Sequence, residues 1–247
     1  MIRKMIFPAI VAIAAVGCGS DGASLQEREA AIQAAISSSE RSVAMTERDP
    51  ARKPAEILAL SEIEPGDRVI EIAGFGSYYT TILSSIVGDA GEVQVFDLPY
   101  TEEFGGEAAH AFAASHANTD YHLVDYNEVD FPSDVDVVFN VLYYHDLGPQ
   151  GVDTALMNAK LFAALKPGGI YLVIDHKAEA DSAWRDAGTI HRMGVETIVE
   201  EVTAAGFELA VDSDLLANPD DDRSAMVFSP GTRGATDRAV FVFRKPG

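Results

Sequence analysis

Three short stretches carry side chains suited to acid–base or metal chemistry. They are "YYHDL" with Tyr143, Tyr144, His145 and Asp146; "IDHKA" with Asp175 and His176; and "TIHRM" with His191 and Arg192. An imidazole titrates near neutrality, so one placed in a cleft can take a proton from a substrate hydroxyl or amine. His145, His176 and His191 are the candidate catalytic groups on this reading. Tyr144, with Tyr143 beside it, would supply an aromatic wall, and aromatic faces attract cations. Imidazoles and carboxylates also suit zinc, iron or manganese, so the alternative is a metal site built from His145, Asp175, His176 and His191, with Asp146 nearby. No tight ligand motif of the H-E-x-x-H kind is present, which ranks proton transfer above metal binding. A third reading is that each histidine only fixes its own loop.

These stretches need a frame that brings them together. Apolar runs of strand length alternate with helix-length amphipathic segments: "RVIEIA", "EVQVF", "DYHLV", "VDVVFNVL", "IYLVID", "FELAVDSDLL" and "RAVFVFRK" read as strands. "PAEILALSEI", "YYTTILSSIV", "EEFGGEAAHAFAASHA", "DTALMNAKLFAAL" and "VETIVEEVTAAG" read as helices. The pattern predicts an α/β fold with a doubly wound, mostly parallel seven-stranded sheet and an antiparallel last strand. Ligands of such sheets bind outside the carboxyl ends of the strands, where "YYHDL" and "IDHKA" follow the fourth and fifth. "SLQEREAAIQAAISSSERSVAM" reads as one amphipathic helix, with Leu25, Ile32, Ile36 and Val43 near one face, and "TERDPARKP" breaks it.

The turn after the first strand is "EIAGFGSYYT". Gly74 and Gly76 make it a candidate cradle for a ligand approaching backbone, but a lone G-x-G is weak evidence. Asp97 closes the second strand, where a carboxylate can accept both hydroxyls of a ribose; a plain turn acid is the alternative. The long loop "LLANPDDDRSAMVFSPGTRGATDR" carries Arg223, Arg233 and Arg238 among acids, which read as local ion pairs, with a lid as the alternative.

The net charge of −21 disfavours nucleic acid and anionic membrane surfaces as partners. Residues 1–17 read as a signal peptide, from the basic "MIRK" and the apolar "MIFPAIVAIAAV". The following "AVGCGS" resembles a bacterial lipoprotein signal, which implies lipidation of Cys18 and a membrane anchor on the periplasmic side of the cell envelope; ordinary secretion is the alternative. Residues 18–50 then read as a tether with an N-terminal helix lying against the domain or capping it, and the domain spans 51–247.

Seven strands, the turn after the first, "LKPGGIYLVIDH" and the closing pair together resemble the class I S-adenosylmethionine-dependent methyltransferases. More narrowly, "RKPAEILAL", "YYHDL", "IDHKA", "TIHRM" and "MVFSPGTRGATDRAVFVFRKP" resemble an exported bacterial predicted-methyltransferase group. The resemblance implies a Rossmann-like methyltransferase fold, S-adenosylmethionine as cofactor, and methyl transfer to an unknown small or lipid-like acceptor. It implies that Glu71 helps hold the cofactor's amino-acid end and that Asp125 meets the adenine amino group, with a turn-forming role for Asp125 as the alternative; Asn140 ends the fourth strand and so points towards the cleft by position. With Gly74, Gly76 and Asp97 these form the candidate cofactor set. The family's three glycine positions fall on Ala73, Phe75 and Ser77. The loop could bind the cofactor in an altered shape, turn Phe75 to the substrate side, or be closed. The missing glycines and the export signal support an alternative of another class: a non-catalytic or metal-dependent ligand-binding protein reusing the same cleft.

Overall fold

The computed structural model describes residues 22–74 and 78–247; the signal-like segment with Cys18 lies outside them, as do Phe75, Gly76 and Ser77. Seven apolar runs become strands: β1 Arg68–Ile72, β2 Glu92–Asp97, β3 Thr119–Leu123, β4 Val135–Val141, β5 Leu165–His176, β6 Glu208–Ser213 and β7 Arg238–Arg244. They form one sheet in the order β3-β2-β1-β4-β5-β7-β6. The first five pair in parallel and the last strand, β7, runs antiparallel, as the sequence pattern predicts; β7 lies between β5 and β6.

The helices are α1 Leu25–Ile36, α2 Val43–Thr46, α3 Asp49–Arg52, α4 Pro54–Leu60, α5 Tyr78–Val87, α6 Glu107–Ser115, α7 Tyr144–Leu147, α8 Thr154–Ala164, α9 Ala187–Ile190 and α10 Val195–Ala204. Side chains alternate across a strand, so each of the five inner strands feeds two cores. Val69, Val95, Val137, Leu172 and Val242 pack with Ile32 of α1, Ile57 of α4 and Ile82 of α5. Ile70, Phe96, Val138, Val173 and Phe243 pack with Met157 and Leu161 of α8 and Ile198 and Val202 of α10. We call these the α5 face and the α8–α10 face.

Three local readings are corrected. The expected single helix at the N-terminus breaks after Ile36, and α2 restarts on a cap from the Ser42 side chain. Serine side chains compete for nearby backbone groups, and the run at 37–42 holds three of them in sequence. Leu25 and Val43 are 74% and 72% exposed, so only the middle of the expected stripe is buried. The segment read as a break contains α3, because a proline in the first turn gives up no helical hydrogen bond. The single-turn helices α7 and α9 are too short to leave a period in the sequence. Among the described residues no helix is long and apolar enough to cross a membrane.

Candidate functional site

Strand alternation divides the strand-end polar residues between the two faces. Glu71 and Asp97 fall on the α5 face, in phase with Val69 and Val95. The Thr80 hydroxyl of α5 donates to Glu71 Oε2 at 2.5 Å. Burial raises the Glu71 pKa to about 8; the Thr80 bond and the nearby Arg52 charge oppose the shift, and Asp97 adds to it. Arg52 lies over the Tyr78 ring at 4.5 Å and the Tyr79 ring at 5.7 Å.

Asp97 is 1% exposed. Its Oδ1 accepts the Gly74 N–H at 2.8 Å, and its Oδ2 accepts the Thr101 and Tyr121 hydroxyls at 3.3 and 3.1 Å. The turn between the two acids is tight. Ala73, at the family's first glycine position, carries φ +58°, a left-handed conformation that costs a residue with a Cβ. Gly74 is required for a different reason: a Cβ there would lie 2.7 Å from Val95 Cγ1. The candidate Gly76 is outside the described residues, as is Phe75.

Asp125 is exposed and caps its own turn, accepting the Asn127 N–H at 2.9 Å, so the structure gives it a local role. Asn140 is fully buried on the other face; its Nδ2 donates to the Tyr171 hydroxyl at 3.2 Å, and its Oδ1 has no partner.

The histidines gather at the ends of β4 and β5. His145, in α7, is 2% exposed, and its Nδ1 lies 2.6 Å from Asp175 Oδ1. Asp175 is fully buried and also accepts the backbone N–H groups of His145 and His176, at 2.7 and 2.6 Å. Burial alone would oppose charge on His145, but the ion pair and hydrogen bond to Asp175, with help from Asp146, outweigh it and raise the imidazole pKa. His191, at the end of α9, brings Nδ1 to 3.0 Å from Asp146 Oδ1, and its ring stands edge-on to His145 at 5.4 Å.

His176 is close to His145, with ring centres 5.8 Å apart, but its Nδ1 is engaged by the Thr236 hydroxyl at 2.7 Å. Burial, then the positive charges of His145 and Arg238, push its pKa well below the ordinary value. Tyr144 does not line this cluster. Its hydroxyl donates to Glu201 of α10 and accepts from Asn158 of α8, both at 2.8 Å. Tyr143 is fully buried, with its hydroxyl 3.1 Å from that of Tyr100.

Sequence reasoning missed the partners that hold these groups. Thr80 and Tyr121 sit in a helix and a strand with no motif around them. Arg192 is buried and ties Asp221 with two bonds of 2.8 and 3.1 Å, while Arg223 pairs with Asp237 at 2.8 Å. The long loop before β7 is therefore pinned beside His191 by the buried Arg192–Asp221 pair and the partly exposed Arg223–Asp237 pair, as the local-pairing reading expected for Arg223; Arg238 instead donates to the Ala51 carbonyl at 2.7 Å.

Known structures share this architecture. A methyltransferase from Aquifex aeolicus described as dependent on S-adenosylmethionine superposes with TM-score 0.58 at 17% identity, covering 81% of this chain and 96% of that one. A second such enzyme, from Mesorhizobium loti, gives TM-score 0.58 at 17% identity over 80% of this chain and all of that one. Fibrillarin of Aeropyrum pernix, solved with natively bound S-adenosyl-L-methionine, gives TM-score 0.52 at 13% identity, covering 76% and 73%. The chain thus has the fold of the S-adenosylmethionine-dependent methyltransferases. No family model matches the sequence, and no curated protein does.

Proposed function

We propose that the protein is an S-adenosylmethionine-dependent methyltransferase acting on a small-molecule or lipid-like acceptor, exported and held at the membrane through Cys18. The observation that carries this reading is the buried acid pair, Glu71 and Asp97, at adjacent strand ends on either side of the Ala73–Gly74 turn. The cofactor, when bound, supplies an electrophilic methyl group on a sulfonium. The residues present fit it by a local exchange. Asp97 can keep the Gly74 N–H and trade its bonds from Thr101 and Tyr121 for two ribose hydroxyls. Glu71 holds its proton near neutral pH, and an ammonium group beside it would draw that proton off. Methyl transfer depends more on alignment than on proton removal, so the His145–Asp175 pair serves chiefly to hold the acceptor.

A second reading, a non-catalytic ligand-binding protein on the same fold, is favoured by one observation: Asp97 is closed off and already bonded on both oxygens. Calorimetry with S-adenosylmethionine separates the two. Binding that falls roughly 10- to 100-fold in Asp97→Asn supports the methyltransferase reading, since hydrogen bonds to a charged group contribute about 1.5–3 kcal/mol. Absence of binding to the wild type overturns it.

A further inference from the structure

We propose that His145 Nε2, Asp146 Oδ1 and His191 form a binding site for a first-row divalent transition metal, with Asp175 fixing His145 from behind. His145 Nε2 is buried and has no hydrogen-bond partner, and the nearest carboxylate oxygen, Asp146 Oδ1, is 3.5 Å away. The same oxygen lies 3.0 Å from His191 Nδ1. One ligand atom from each of the three residues falls within a span of 4.8 Å. At metal bonds of about 2.1 Å, two ligands at right angles stand roughly 3.0 Å apart, and two at the tetrahedral angle roughly 3.4 Å. The two separations from Asp146 Oδ1 match that spacing, so an ion could enter with small side-chain shifts, replacing the His191–Asp146 hydrogen bond.

The surroundings have the form of a metal site rather than of a simple ion pair. Asp175 accepts from His145 Nδ1 at 2.6 Å, which turns the Nε2 lone pair towards Asp146 and His191. A carboxylate behind a ligating imidazole is the usual way its tautomer and orientation are set. Asp175 is itself held by two backbone N–H groups. The other two ligands are partly open, with side-chain exposures of 17% for Asp146 and 28% for His191, which leaves positions for water or a substrate. Two imidazoles and one carboxylate suit zinc, iron(II), manganese or cobalt, and not magnesium or calcium, which prefer oxygen. His176 and Asp175 are not ligands: one is engaged by Thr236, and the other stands behind His145. The site does not depend on methyl transfer.

The test is to strip the purified protein with chelator, load it with Co2+ or Zn2+, dialyse, and measure retained metal and the Co2+ absorption spectrum. One retained equivalent with ligand-field bands is expected. Asp146→Asn and His191→Ala, both at partly open positions, should weaken binding roughly 100-fold or more, and Asp175→Asn about 10- to 100-fold through orientation alone. His110→Ala, at an exposed pair with Glu102, should change nothing. Failure to retain metal overturns the proposal. So does retention that survives in both Asp146→Asn and His191→Ala, which would place the ion on the acidic surface. S-adenosylmethionine calorimetry on the same samples reads the methyltransferase reading separately, so the two can fail independently.

Discussion

The two faces of the sheet end in polar residues of similar type, but they are completed differently. On the α5 face, Glu71 and Asp97 are bonded inside the chain: Thr80 reaches one, and Gly74, Thr101 and Tyr121 reach the other. On the α8–α10 face, His145 Nε2 and Asn140 Oδ1 are buried with none. Leaving a buried polar atom unpaired costs about 1–3 kcal/mol, so a water or other ligand that reaches these two atoms is favoured. The histidine face is thus poised for a ligand as it stands. The acid face must first give up internal bonds.

The largest effect should come from breaking the histidine face at its base. Asp175→Ala removes three hydrogen bonds and leaves two backbone N–H groups and the His145 imidazole without their shared buried partner. Each buried group left without its partner costs about 1–3 kcal/mol, so a loss of roughly 3–5 kcal/mol is expected. Urea unfolding of the variant should show a loss of that order. A loss under about 1 kcal/mol would mean that the face is not held through Asp175, and the contrast between the faces would lose its basis.

The next effect sharpens the acid face. Glu71 has a folded pKa of about 8 against an ordinary value of 4.5, so the fold takes up a proton between those pH values. Stability from this group is full below about pH 4.5 and is lost as pH rises through 8, at roughly 1.4 kcal/mol per pH unit inside the window. Glu71→Gln keeps the shape without the titration. Its stability curve should be flatter than that of the wild type from pH 5 to 8, and it should be the more stable of the two at pH 8. Parallel curves would show that Glu71 ionises freely in the fold.

The seven strands, their mostly parallel pairing and the antiparallel last strand were legible because apolar runs and helix-length spacers set the strands without help from any side-chain partner. The meeting of His145 with Asp175 was legible too, since "YYHDL" and "IDHKA" follow adjacent parallel strands. What the sequence hid was direction. Tyr144 sits in a single turn of helix, and no period told that its hydroxyl runs between Asn158 and Glu201. His176 follows Asp175 by one residue and so points to the opposite face, where Thr236 holds it. Asp146 stood among the candidate metal groups, but nothing in "YYHDL" told that it is the carboxylate between two imidazoles, since α9 and the pinned loop bring His191 back to it.

The smallest effect tests why the acid face is closed. Ala73 adopts φ +58° and is nearly buried, and its N–H donates to the Phe96 carbonyl at 2.9 Å. Left-handed backbone costs a residue with a Cβ about 1–2 kcal/mol, which glycine would not bear. Glycine would forfeit burial of a methyl group, about 0.8 kcal/mol, and would make the unfolded chain more flexible. These terms nearly cancel, so Ala73→Gly should leave stability within about 1 kcal/mol of the wild type. The informative readout is cofactor affinity. If strain at Ala73 keeps the turn clamped by the Gly74–Asp97 bond, the variant should bind S-adenosylmethionine more tightly by a few-fold. If affinity is unchanged, the turn is held by Asp97 and Tyr121 alone, and the difference between the faces lies in side-chain partners rather than in backbone strain.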